Sequence, residues 1–162
     1  MAKIKQIEVL NHHHRDLEKI LDNMEDMIEN LELGGEEMFQ MHYLQLEKLR
    51  IRILTKSMLH FLQEEQVLFP EIIKLKANYK LRVRELLKQH VEIKKVYSAI
   101  VEAIELEDHK ALLQWAKQAV AILRKHIKVE DKFFNAIQQK GITPTVARKI
   151  NLKLEEYNQA VG

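Results

Sequence analysis

The residues that could do chemistry in this chain are its histidines, eight in number: His12, His13, His14, His42, His60, His90, His109 and His126. Imidazole ligates metals and exchanges protons near neutral pH. Its environment decides which role it takes, so the useful question is which histidines fall on an apolar helical stripe. His14 follows Ile7 by seven and Leu10 by four, and precedes Leu17 by three. His60 stands seven from both Ile53 and Val67, and His90 stands seven from both Val83 and Tyr97. His126 follows Leu123 by three and precedes Phe133 by seven. One buried histidine is ordinarily a hydrogen-bonded core residue. Four unpartnered ones would cost several kcal/mol together, so this pattern points to a shared ligand.

Carboxylates accompany two of them. Glu64 follows His60 by four and Glu130 follows His126 by four, which stacks the side chains one turn apart on one face. His12 with Asp16 and His14 with Glu18 have the same spacing, but Glu18 continues into Glu25, Glu29 and Glu32, a solvated face. By contrast Glu64 is bracketed by Phe61, Val67 and Leu68, and Glu130 by Ile127, Phe133 and Phe134. A carboxylate on such a stripe needs a cation or a donor.

The elements that must position these groups are helices. The chain has 162 residues, 46% of them apolar and 31% charged, with only four Gly and two Pro. A β-rich or α/β chain of this length needs more turn residues. Apolar periodicity marks helical segments over about 3–32, 36 to the region of Pro70, 79–107 and 108–140. Gly34-Gly35 ends the first, Pro70 kinks or ends the second, and Gly141 ends the fourth. Thr143-Pro144 then opens a short fifth helix carrying Val146, Ile150, Leu154 and Tyr157. The expected fold is all-α: an antiparallel up-down-up-down four-helix bundle over residues 1–140, with a C-terminal helix over 141–162. That fifth helix packs on the outside or joins a partner, which leaves a homo-oligomer open.

The net charge of +2 gives no reason to expect a nucleic-acid or membrane partner. No Cys is present, so disulfides, thiolate metal sites and cysteine nucleophiles are excluded. No apolar run approaches the roughly 20 residues of a membrane span. Met1-Ala2-Lys3-Ile4-Lys5 has no signal-peptide core behind it, and a cytoplasmic location is expected.

The two halves repeat. Each helical pair gives a lone histidine (His14, His90), then a His-x3-Glu pair (His60/Glu64, His126/Glu130). Two such sets facing each other would make a pseudo-twofold site for two metal ions. The pieces His14-Arg15, His60-Phe-Leu-Gln-Glu64-Glu65-Gln-Val-Leu-Phe69-Pro70, His90 and His126-Ile-Lys-Val-Glu130-Asp131-Lys-Phe-Phe134 resemble the hemerythrin-like, or HHE cation-binding, domains over about residues 4–140. The resemblance implies a non-haem di-iron centre, oxo- or hydroxo-bridged, with both carboxylates bridging and His14, His60, Glu64, His90, His126 and Glu130 as ligands. One departure stands out. Hemerythrins proper have a second histidine one turn from the first on the third helix, whereas His90 is flanked there by Leu86 and Lys94. Four imidazoles, two bridging carboxylates and one bridging oxygen leave about two positions open on two six-coordinate ions. Zinc and manganese accept the same ligand types as iron. A ferritin-like site would need Glu-x-x-His, and no histidine here has Glu three residues before it.

The function expected is therefore a di-iron protein that binds or senses oxygen or a related small molecule, or that handles iron. The alternatives are an enzyme reducing peroxide or nitric oxide, or a metal-free interaction module. No Cys, Tyr or Ser is expected one turn from a ligand to act as a relay. Glu65 rotates off the seam and reads as a surface residue or a support for the site. His12 and His13 read as solvated or supporting, His42 as structural or at the surface, His109 as exposed, and Trp115, Met24 and Met58 as core. The basic group Lys74, Lys76, Lys80, Arg82 and Arg84 is diluted by Glu71, Glu85 and Glu92 and reads as a solvated face.

Overall fold

In the computed structural model, which describes residues 2–161, the helices assemble as a bundle. Helix α1 (Lys5–Gln63) is broken at a single residue, Gly35, whose φ of 64° and ψ of −154° are open only to glycine. The break gives two arms, 5–34 and 36–63. They lie side by side, with Gln6 bonded to Gln63 at one end and His14 facing His60 one step further in. Gly34 allows the tight reversal: a Cβ there would come within 1.7 Å of Met38 Cγ.

The second arm does not stop at Pro70. It passes through one π-helical turn (Glu64–Leu68) into α2 (Phe69–Leu75). In that turn the Phe69 N–H reaches back five residues to the Glu64 carbonyl. Proline has no N–H to give to a carbonyl four residues earlier, and the wider turn absorbs the mismatch. π-Turns inside α-helices are frequent at functional sites, and this one carries Glu64 and Glu65.

Helices α3 (Tyr79–Glu105) and α4 (His109–Gln139) form the other half, with Asp108 capping α4 by accepting from the Ala111 N–H. Helix α5 (Pro144–Val161) packs on the bundle through Ala147, Ile150 and Leu154. It also ties down the start of the chain, because Asn151 Oδ1 accepts from the Lys5 N–H. Buried Glu71 of α2 receives Lys74 and Lys153, the latter from α5.

The core is in two parts. One lies toward the Gly35 end and includes Leu21, Met24, Ile28, Ile53, Ile100, Leu112 and Leu123. The other lies toward the termini and includes Ile7, Leu68, Ile72, Leu86, Phe134 and Ile150. The polar residues buried between them include all four seam histidines. Met24 is in the core as expected, whereas Trp115 and Met58 are half-buried at its edge.

Candidate metal centre

Each half of the bundle delivers two imidazoles and one carboxylate to the same depth. His14 comes from the first arm, His60 and Glu64 from the second arm and its π-turn, His90 from α3, and His126 and Glu130 from α4. None of the six is more than 7% exposed, and Glu64, Glu130 and His90 are fully enclosed. The six form two sets of four. His14, His60, Glu64 and Glu130 offer atoms all within 4.8 Å of one another, and so do Glu64, His90, His126 and Glu130. Each set takes both histidines of one half of the sequence, and both sets share the two carboxylates.

The shared carboxylates face both sides. Glu64 puts one oxygen 2.5 Å from His60 Nε2 and the other 3.3 Å from His90 Nε2. Glu130 Oε2 lies 3.1 Å from His14 Nε2 and 3.5 Å from the Nε2 atoms of both His60 and His126. The Nε2 atoms of His14 and His60 are only 2.9 Å apart. Ligands at right angles around an ion about 2.1 Å away stand about 3 Å from each other, so these spacings fit cations between the side chains. Satisfaction of polar atoms gives the same answer. Both oxygens of Glu64, Oε1 of Glu130 and the Nε2 atoms of His90 and His126 are buried without a well-aligned hydrogen bond. Leaving so many buried polar atoms unpaired is costly, and a metal pair would satisfy all of them.

The outward ring nitrogens are held. Asp131 accepts from His14 Nδ1 at 2.6 Å, Glu65 from His90 Nδ1 at 2.8 Å, and Gln89 from His126 Nδ1 at 2.9 Å. A proton fixed on Nδ1 leaves Nε2 free to face the centre. Glu65 is itself held by Lys94 Nζ at 3.0 Å. Burial would raise the Glu65 pKa, but the hydrogen bonds from Lys94 and His90 bring it below the usual carboxylate value. Lys94, one turn after His90, therefore braces the support of His90. Leu86, one turn the other way, is buried in the core near the termini.

The electrostatics of the metal-free site are those of protons standing in for cations. Burial would lower the His14 pKa, yet its bonds to Asp131 and Glu130 raise it to about 9. Burial likewise opposes protonation of His60, while Glu64 and Glu130 raise it to about 10. Glu130 is buried, which alone would raise its pKa, but attraction to His126 and the hydrogen bonds around it hold it well below the carboxylate range.

A cavity of about 310 Å³ lies between the two arms of α1 and α4, and its lining includes His13, His14, Ser57, His60, Leu123 and His126. His12 and His13 are exposed at this face, and the His13 ring centre is 6.3 Å from that of His60. Phe61, which also lines this cavity, stacks on His90 with ring centres 3.9 Å apart. His42 bonds Gln45, far from the centre. His109 is not exposed as expected but half-buried, stacked on Phe39 at 4.2 Å and bonded to Glu36.

Two features differ from the reading of the sequence. Ser57 stands one turn before His60, buried in the cavity wall, and Tyr97 of α3 donates to it at 3.0 Å. The expectation that no Ser or Tyr lies one turn from a ligand is thus corrected for Ser57. Asp131 and Gln89 went unrecognised because each lies one residue off its own seam. The available signal was that Asp131 follows Glu130 as Glu65 follows Glu64.

A family model, the hemerythrin HHE cation binding domain, matches residues 5–137. No curated protein and no solved structure matches the chain.

Proposed function

Since the chain belongs to the hemerythrin HHE cation-binding domain family, we propose that it is a non-haem di-iron protein that binds or senses oxygen or a related small molecule, or handles iron. The observation that carries this reading is the pair of four-residue sets sharing Glu64 and Glu130. In it, His14 and His60 would hold one ion and His90 and His126 the other, with Glu64 and Glu130 available to both. Iron would supply open coordination positions for a small ligand and, by changing oxidation state, a means of sensing one. The chain's own residues supply the rest. Asp131, Glu65 and Gln89 orient the imidazoles, Phe61 stacks on His90 and lines the cavity, and that cavity beside His14 and His60 admits a molecule the size of oxygen, peroxide or nitric oxide.

The test is metal analysis of aerobically purified protein together with its visible spectrum. The reading requires about two irons per chain and an oxo-bridge charge-transfer band. One ion per chain, zinc, or no metal overturns it. Turnover assays with peroxide and nitric oxide separate a binding protein from a reductase.

A further inference from the structure

The near-twofold arrangement of the centre is broken by one pair of hydroxyls. Tyr97 Oη donates to Ser57 Oγ at 3.0 Å, and Ser57 Oγ donates to the Ile53 carbonyl at 2.7 Å. Ser57 is 1% exposed and Tyr97 is 9% exposed. The repeat relates His60 to His126 and His90 to His14. Under it, the places matching Ser57 and Tyr97, three before and seven after those ligands, belong to Leu123 and Leu21. Both leucines are fully buried. Both belong to the apolar core on that side, so burial at these places does not by itself call for hydroxyls. Burial holds Tyr97 in its protonated form by pushing its pKa well up, so its O–H remains a donor.

Ser57 lines the cavity that His14, His60 and His126 also line. Its bond to Ile53 is dispensable, because a serine bonding back to the carbonyl four residues earlier adds little to a helix. By rotating away from that carbonyl, Ser57 turns its proton into the cavity while its oxygen still accepts from Tyr97. Hydrogen bonds in such a chain polarise and strengthen one another. We infer that Ser57, backed by Tyr97, is the hydrogen-bond donor to a small anionic or oxygen-bearing ligand bound at the centre from this cavity. Ser57 touches the ligand, and Tyr97 is a positioning residue acting through it.

This inference rests on the di-iron reading, and one experiment separates them. Iron-loaded wild type, Ser57→Ala, Ser57→Thr and Tyr97→Phe are titrated with azide, following the visible band and the infrared stretch of bound azide, with iron content measured for each. The inference requires azide affinity about tenfold or more weaker in Ser57→Ala and also reduced in Tyr97→Phe. It further requires a shifted azide stretch in both, unchanged iron content, and recovery in Ser57→Thr. Equal affinity and an unshifted stretch in Tyr97→Phe and Ser57→Ala overturn it and leave the di-iron reading standing. If Ser57→Ala fails to hold iron, Tyr97→Phe, which keeps the ring and Ser57, decides alone. Failure of the wild type to hold iron overturns the underlying reading instead.

Discussion

Asp131 of α4 reaches across the bundle to hold His14 of the first arm, Oδ1 to Nδ1 at 2.6 Å, and the other half of the centre repeats that relationship once. Glu65 does the same for His90. In each half, the acid directly after the shared glutamate supports the lone histidine of the opposite half. Outer partners of this kind are worth 10–100-fold in metal affinity. Asp131→Ala is expected to weaken metal binding by that order while leaving the fold intact, with Glu65→Ala behaving alike. Competition against a chelator of known affinity measures it, and unchanged affinity in both variants contradicts the role.

The sharing of the carboxylates makes substitutions unequal. His126→Ala removes a ligand from one set, and Glu130→Ala removes one from both. The first variant should retain about one ion per chain and the second should lose both, read by elemental analysis beside circular dichroism to verify the helices. Equal losses would contradict the shared geometry.

Protonation gives a third prediction with a definite sign. In the metal-free protein His14 titrates at about 9 and His60 at about 10, both above the ordinary value of 6.5. Their stabilising charge is fully present below about 6.5 and disappears as pH rises through 9 to 10. Glu130 is shifted the other way, so its contribution is present above about 4.5 and disappears as pH falls. The Tm of the metal-free protein should therefore peak between about pH 5 and 6.5. Metal must displace the protons on His14 and His60, so loading at pH 7 releases protons and loading near pH 10 releases few. Calorimetry in buffers of different ionisation enthalpy measures the release, and a pH-independent value would contradict it.

Gly35 carries a fourth. Its φ of 64° with ψ of −154° strains any side chain, although a Cβ there meets nothing within 4 Å. Gly35→Ala should cost about 1–3 kcal/mol from backbone conformation alone. The two arms are joined only there, so the variant should lower the denaturation midpoint without altering metal stoichiometry. A midpoint equal to wild type would mean the turn relaxes freely.

Much of this was legible from spacing. The four seam histidines and the two glutamates declare themselves because a regular helix returns a residue to the same face every seven positions, and Gly34-Gly35 marked the first reversal. What spacing could not show is what lies off the seam. Glu65, Asp131 and Gln89 point sideways from their own helices and meet a histidine on a neighbouring one, a relation that exists only after packing. Tyr97 lay on the His90 seam and Ser57 one turn before His60, but their partnership joins the second arm to α3 and exists only after packing. Pro70 was expected to kink or end the helix; it does not end it, because the π-turn before it lets the helix run on to Leu75. The fifth helix was visible from Thr143-Pro144, but its clamp on Glu71 through Lys153 was not.

The most direct measurement is an anomalous-difference map from a crystal of the iron-loaded protein, collected above and below the iron edge. Two peaks are predicted, one between His14 and His60 and one between His90 and His126, with Glu64 and Glu130 contacting both. A single peak, or density away from these six side chains, would contradict the paired centre.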